Sequence, residues 1–121
     1  MRNLNLAESE DVQQARSDIS SIEERIRFSK VFKKLYESPE FKEVVLDTML
    51  GKEVRAKAET LALNPYMDKE QEEETLVVLR AMRYLNKFIT DKLRDAELAP
   101  SQLEESQEYL QQKLAEQKEN L

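Results

Sequence analysis

The stretch from Asp68 to Ala96 constrains the fold most strongly, because it is a long run without glycine or proline. Its apolar residues recur three and four positions apart, which places them in one sector of a helix and predicts a buried face. Asp68 and Gln71 have the spacing of a capping box, and a run of glutamates follows in the first turns. The sequence therefore predicts a long amphipathic helix over about residues 68–97. Its apolar positions are Val78, Ala81, Met82, Leu85, Phe88, Ile89, Leu93 and Ala96.

Tight turns are scarce in this chain, since its 121 residues include only 1 glycine and 3 prolines. Strong helix formers dominate the rest of the composition. A proline disfavours helical geometry in the residue before it. Pro39, Pro65 and Pro100 are therefore expected to mark helix ends. We therefore predict an all-α protein. The architecture is a long antiparallel helical hairpin or a small three-helix bundle, with an exposed C-terminal helix.

The predicted organisation has three parts. Residues 1–8 form a flexible leader, residues 9–97 a helical domain, and residues 98–121 a C-terminal helical arm. Within the domain, helices are expected at about 9–37, 39–63 and 68–97. The arm begins with the capping-box spacing of Ser101 and Glu104, but its apolar stripe is thin. It is predicted to be exposed, or to be completed by another subunit. The stripe consists of Leu103, Leu110, Leu114 and Leu121.

The first helix changes its apolar face along its length. Ile19, Ile22 and Ile26 continue a narrow heptad-like seam, whereas Phe28 and the apolar residues after it lie roughly opposite. Either the helix breaks near residues 25–28, or its two halves pack against different partners, one of them a neighbouring chain. The candidate oligomer contacts are Ile19, Ile22, Ile26, Leu103, Leu110 and Leu114.

The only glycine, Gly51, lies inside the second predicted helix. A glycine inside a helix costs about 1 kcal/mol relative to alanine. It marks a kink or a close helix crossing, or else it is simply tolerated within one continuous helix.

Most catalytic chemistry is excluded by composition. The absence of histidine and cysteine removes Ser–His and Cys–His nucleophile systems and ordinary zinc sites. A single glycine is too few for a P-loop or a dinucleotide fingerprint. The carboxylates lie in surface-like runs such as 70–74 rather than in a pattern typical of a catalytic pair. We therefore predict no enzymatic activity, no cofactor and no metal.

Charge and hydropathy limit the partners. The formal net charge of −6 argues against a surface built entirely for nucleic acid or anionic membranes. No apolar run approaches the length of about 18 residues that a membrane span requires, so no membrane partner is predicted. The chain itself and other proteins are the expected partners, and nucleic acid is possible but not favoured.

Two groups of basic residues form a candidate partner-binding surface. One group follows the polar side of the long central helix, and the other lies within residues 25–34, where no acid occurs. Two interpretations of these residues are open. They form a solvated surface with i,i+4 ion pairs such as Lys87 with Asp91, or they form a binding patch for an acidic partner or a phosphate backbone. The residues are Arg25, Arg27, Lys30, Lys33, Lys34, Arg80, Arg83, Lys87 and Arg94.

The stretches SPEFKEVVLDTML and LALNPYMDKEQEEETLVVLRAMRYLNKFI carry a family resemblance over about residues 38–90. In outline, this part of the chain resembles small, mostly uncharacterised all-helical proteins of tailed bacteriophages. The shared pattern is a proline-capped helix, an Asn-Pro connection and a long helix. The resemblance implies a phage setting, located in the cytoplasm of the host cell or in the virion, with a virion or assembly role.

Three functions are compatible with the sequence. The leading hypothesis is a non-enzymatic structural or assembly protein that acts by helix-mediated self-association, in a phage particle or its morphogenesis. The alternative is a small accessory protein that binds and inhibits a host protein or sequesters a small anionic ligand. The third is a nucleic-acid-binding packaging factor.

Overall fold

The computed structural model describes residues 8–119, and every regular element in that range is helical. This confirms the all-α fold class and the prediction of a helical hairpin or bundle. The leader residues 1–7 and Leu121 lie outside the described residues. The elements are α1 (Glu10–Tyr36), α2 (Pro39–Phe41), a π-helix (Lys42–Glu53), α3 (Val54–Leu63) and α4 (Lys69–Glu119).

A serine side chain caps the start of each of the first two helices. The N–H of Val12 donates to Oγ of Ser9 at 3.2 Å. The N–H of Phe41 donates to Oγ of Ser38 at 3.2 Å, and Pro39 follows at the first helical position. Each cap satisfies a backbone donor that has no partner within its helix, which fixes where the helix starts.

The start of α4 is a reciprocal capping box, as predicted. The N–H of Gln71 donates to Oδ1 of Asp68 at 2.8 Å, and the N–H of Asp68 donates back to Oε1 of Gln71 at 3.2 Å. Before it, Oδ1 of Asn64 accepts from the N–H of Tyr66 at 3.0 Å and closes the short connection from α3. Local side-chain hydrogen bonds therefore set this turn between two helices.

Two compact units divide the described chain. The first unit contains residues 8–30 and 94–119, and the second contains residues 31–93. Helix α1 is continuous through residues 25–28, so it does not break there. Its two halves instead belong to different units, which agrees with the expectation that they pack against different parts and explains why the apolar face changes. The contact of one half with a neighbouring chain stays a prediction.

The first unit is held together by α1 and the C-terminal part of α4. Val12 and Ala99 are completely buried. Arg25 forms an ion pair with Asp95 at 3.0 Å, and Asp11 lies 3.8 Å from Lys113, so the two helices run antiparallel. The predicted arm therefore differs from the observed structure, because residues 98–119 pack against α1 of the same chain.

The predicted helix end before Pro100 is wrong, since α4 runs through this proline without interruption. Proline lacks a backbone N–H, so the hydrogen bond to the carbonyl of Ala96 is absent and its ring crowds that carbonyl, at a cost of about 3 kcal/mol. Burial of Ala99 and the ion pair between Arg25 and Asp95 hold α4 before this position, and the approach of Lys113 to Asp11 holds it after this position. Tertiary packing thus outweighs the local preference.

Replacing this proline is expected to stabilise the protein. Pro100→Ala restores a helical hydrogen bond, and the freer unfolded chain offsets part of that gain. We expect the free energy of unfolding to rise by about 1–3 kcal/mol, measured by urea denaturation followed by circular dichroism. Pro39→Ala is the matched control, because a proline in the first turn of a helix gives up no helical hydrogen bond. This substitution should lower the free energy of unfolding slightly. An unchanged or lower stability for Pro100→Ala would contradict this account.

The second unit is centred on an aromatic cluster. The ring of Phe32 lies 6.2 Å from the rings of Tyr36, Phe41 and Phe88, and its side chain is only 6% exposed. Two of these contacts are edge-to-face, the arrangement that aromatic quadrupoles favour. Ile89 is also buried here, whereas no residue between positions 39 and 68 reaches full burial. The apolar side chains of that segment are therefore only partly covered.

A π-helix occupies the middle of the second unit, and the sequence patterns did not predict it. The hydroxyl of Thr48 donates to the carbonyl of Glu43, five residues earlier, at 2.7 Å. Gly51 lies in this π-helix, where a Cβ would stand 3.3 Å from the carbonyl oxygen of Leu46. The glycine thus lies within a continuous helical segment, and its missing side chain relieves a close contact.

Candidate interaction surfaces

A basic depression lies on α4 in the second unit. Arg80, Arg83 and Lys87 line an open space of about 580 Å³ together with Tyr84 and Asn86. The ring of Tyr84 is 71% exposed, so an aromatic side chain stands among these cations. The sequence already carries this signal, because Tyr84 follows Arg80 by four positions and precedes Lys87 by three.

The cations of this depression differ in their partners. Nζ of Lys87 pairs with Oδ2 of Asp91 at 2.6 Å, which confirms the predicted i,i+4 contact. Arg80 and Arg83 are exposed, and neither forms an ion pair with any residue in the range 8–119. Their charges are thus available to an external group.

The second basic group is divided between two environments. Arg25 is engaged by Asp95, and Arg27 is engaged by Glu24 within the same helix. The Arg27 guanidinium donates to the Glu24 carboxylate and holds the pKa of Glu24 below its ordinary value, while the pKa of Arg27 is raised. These two arginines therefore already have carboxylate partners within the chain.

Three lysines at the end of α1 are exposed, and none forms an ion pair within the part of the chain that the structure describes. Their role in binding stays a prediction. So does that of Arg94, which is exposed and belongs to the first unit, whereas Arg80, Arg83 and Lys87 belong to the second. The three lysines are Lys30, Lys33 and Lys34.

The candidate oligomer contacts all lie in the first unit. Ile22 is buried within the chain, with 8% of its surface exposed. The other five side chains are partly covered, so each retains some accessible surface. Their contribution to an oligomer stays a prediction. These five are Ile19, Ile26, Leu103, Leu110 and Leu114.

Large apolar side chains are exposed throughout the second unit. Leu63 is 76% exposed and Val77 is 60% exposed, although both would be expected to avoid water. They occur on α1, the π-helix, α3 and α4, as well as in the connection before α4. The set comprises Val31, Leu35, Val44, Leu63, Tyr66, Val77, Tyr84 and Phe88.

An acidic groove precedes the basic depression along α4. Val77 and Val78 form the apolar part of an open space of about 550 Å³, and Glu70, Glu73 and Glu74 line the rest. All three glutamates are exposed, and none forms an ion pair with another residue in positions 8–119. One helix therefore presents an acidic surface followed by a basic one.

Two features are absent from the described residues 8–119. No group of three or more carboxylates there converges on a point that could hold a metal ion. None of the helices in that range combines the length and apolarity needed to cross a membrane.

Comparison of this chain with known proteins found no match. No family model, no curated protein and no solved structure matches it. The function is therefore argued from the surfaces of the molecule and from the outline resemblance of residues 38–90.

Proposed function

We propose that this chain is a non-enzymatic structural or assembly protein that acts through helix-mediated self-association and protein–protein contacts. The observation that carries the proposal is the exposure of large apolar side chains in the second unit, such as Leu63 and Val77. Apolar surface in contact with water is unfavourable, and extended exposed patches mark interaction sites. A partner that covers these side chains would supply the burial that the segment 39–68 lacks.

The proposed setting is a tailed-phage particle or its morphogenesis, in the host cytoplasm or the virion. Its support is the outline resemblance of residues 38–90 to helical phage proteins. The mixed acidic and basic surface of α4 is compatible with this role, because opposite charges on one chain favour contacts between copies.

The proposal is tested by the mass of the full chain in solution. We expect light scattering coupled to size-exclusion chromatography to show a defined oligomer whose population rises with protein concentration. The measurement uses the complete chain, because residues 98–119 complete the first unit and their removal would expose its core. A monomer at every concentration from micromolar to millimolar would contradict self-association.

A second candidate function is the binding of an anionic partner, such as a small ligand, an acidic host protein or nucleic acid. It is favoured by the exposed Tyr84, which lines the same depression as Arg80 and Arg83, since cations with an aromatic ring suit an anionic ligand that can stack. Single-stranded oligonucleotide and polyglutamate are suitable probes at low salt. Binding that falls steeply with salt and is lost on Arg80→Glu with Arg83→Glu would support this candidate.

A further inference from the structure

A single exposed line of residues joins the acidic groove to the basic depression. Glu70, Glu73, Val77, Arg80, Tyr84 and Lys87 follow one another along α4 in alternating steps of three and four. We call this line the α4 seam. Such spacing averages 3.5 residues and keeps side chains on one stripe that can face a second helix. All six residues of the seam are exposed, so no part of residues 8–119 covers it.

The α4 seam has opposite charges at its two ends. Its first two residues are Glu70 and Glu73. Its last residue is Lys87, and Arg80 lies just beyond its midpoint. Glu74 and Arg83 extend the same polarity beside the seam, since they line the acidic groove and the basic depression respectively. Val77 and Tyr84 are the apolar members, at 60% and 71% exposure.

We propose that two copies of the chain pair through the α4 seam, with their helices antiparallel and related by a two-fold axis that passes between residues 78 and 79. This inference rests on the proposed self-association and names the surface that carries it. In a two-fold interface each contact occurs twice, because the same patch is used by both copies. The seam fits that requirement, since its positions are symmetric about its midpoint.

The antiparallel arrangement pairs unlike groups at each level of the seam. Glu70 faces Lys87 of the second copy, and Glu73 faces Tyr84 of the second copy, whose hydroxyl can donate to the carboxylate. At the centre, Val77 faces Arg80 of the second copy and packs on the aliphatic part of its side chain. Beside the seam, Glu74 and Arg83 of the two copies form a further pair by the same symmetry.

A parallel pairing through the same seam would be unfavourable. It would place Glu70 and Glu73 against their own equivalents, and Arg80 against Arg80, so every charged level would meet a like charge. Charge complementarity therefore selects the second copy as the occupant and also fixes its direction. Because the charges lie at the surface, the pairing should weaken as salt is added.

The test uses charge reversal at four positions outside the first turn of the helix. One variant carries Glu73→Lys with Glu74→Lys, and the other carries Arg80→Glu with Arg83→Glu. Each variant alone brings like charges together across the two-fold axis, so we expect its dimer dissociation constant to rise about tenfold or more. An equal mixture brings unlike charges together at both ends. It should form a heterodimer about as tight as the wild-type dimer, measured by sedimentation at low salt.

The matched control is Glu104→Lys with Glu105→Lys, which changes the net charge as much as Glu73→Lys with Glu74→Lys does, but on the first unit. It should dimerise like the wild type. Circular dichroism establishes that every variant is folded. Variants that dimerise normally alone, or that stay monomeric when mixed, would overturn the seam pairing. The proposed self-association would survive either result. A wild-type chain that stays monomeric would instead contradict the proposed function itself.

Discussion

Phe32→Ala is expected to lower the free energy of unfolding by about 3–5 kcal/mol, the range for removing a buried phenylalanine. Phe32 is 6% exposed, and its ring contacts those of Tyr36, Phe41 and Phe88. Phe32 and Tyr36 belong to α1, Phe41 to α2 and Phe88 to α4. The truncation therefore leaves a cavity where separate helices meet. Folded domains of this size are stable by only about 5–15 kcal/mol, so this loss is a large fraction of the total.

The measurement is urea denaturation, with amide hydrogen exchange to locate the loosened segment. Exchange should accelerate first within residues 31–93, which form the second unit. Leu35→Ala is the control on the same helix, because Leu35 is half exposed and its truncation removes less buried surface. Equal losses for both substitutions would show that the aromatic cluster is not the centre of this unit.

Ala99→Glu is expected to destabilise the first unit by about 3–5 kcal/mol, because an uncompensated charge in a buried position is strongly unfavourable. Ala99 is completely buried, and the only space for a longer side chain would come from separating α4 from its surroundings. The expected result is a large fall in the melting temperature, with faster amide exchange in residues 10–30 and 94–119.

Ala115→Glu provides the control, since Ala115 is exposed on the same helix and the substitution has the same intrinsic helix propensity effect. It should change the free energy of unfolding by less than about 0.5 kcal/mol. If Ala99→Glu were equally mild, the C-terminal part of α4 would not be packed against α1 as observed.

Patterns of neighbouring residues predicted the local structure well. The capping box of Asp68 and Gln71 forms as expected, because it depends only on residues within one turn of the helix start. The sequence patterns did not predict the π-helix. A π-helix is formed by the same kinds of residue as an α-helix, and the apolar periodicity of this segment does not distinguish the two. Its glycine was the only local sign.

The candidate surfaces were predicted only in part. The sequence grouped Arg80, Arg83 and Lys87 on one side of α4, and the structure brings them together. Val77 and Tyr84 lie outside the predicted apolar face of the helix, but they were not recognised as part of an exposed line. The exposure of a side chain depends on which surfaces the other helices cover, and a short stretch of sequence does not determine that.

The sequence by itself determined the helices and most of their ends, since these follow from caps, propensities and periodicity within short segments. Only the tertiary structure decided that α4 continues through Pro100 and packs against α1, because that outcome balances a local loss against burial of residues far apart in sequence. The same balance placed the two halves of α1 in different units. It also left the α4 seam exposed, which is why the seam is available to a second copy.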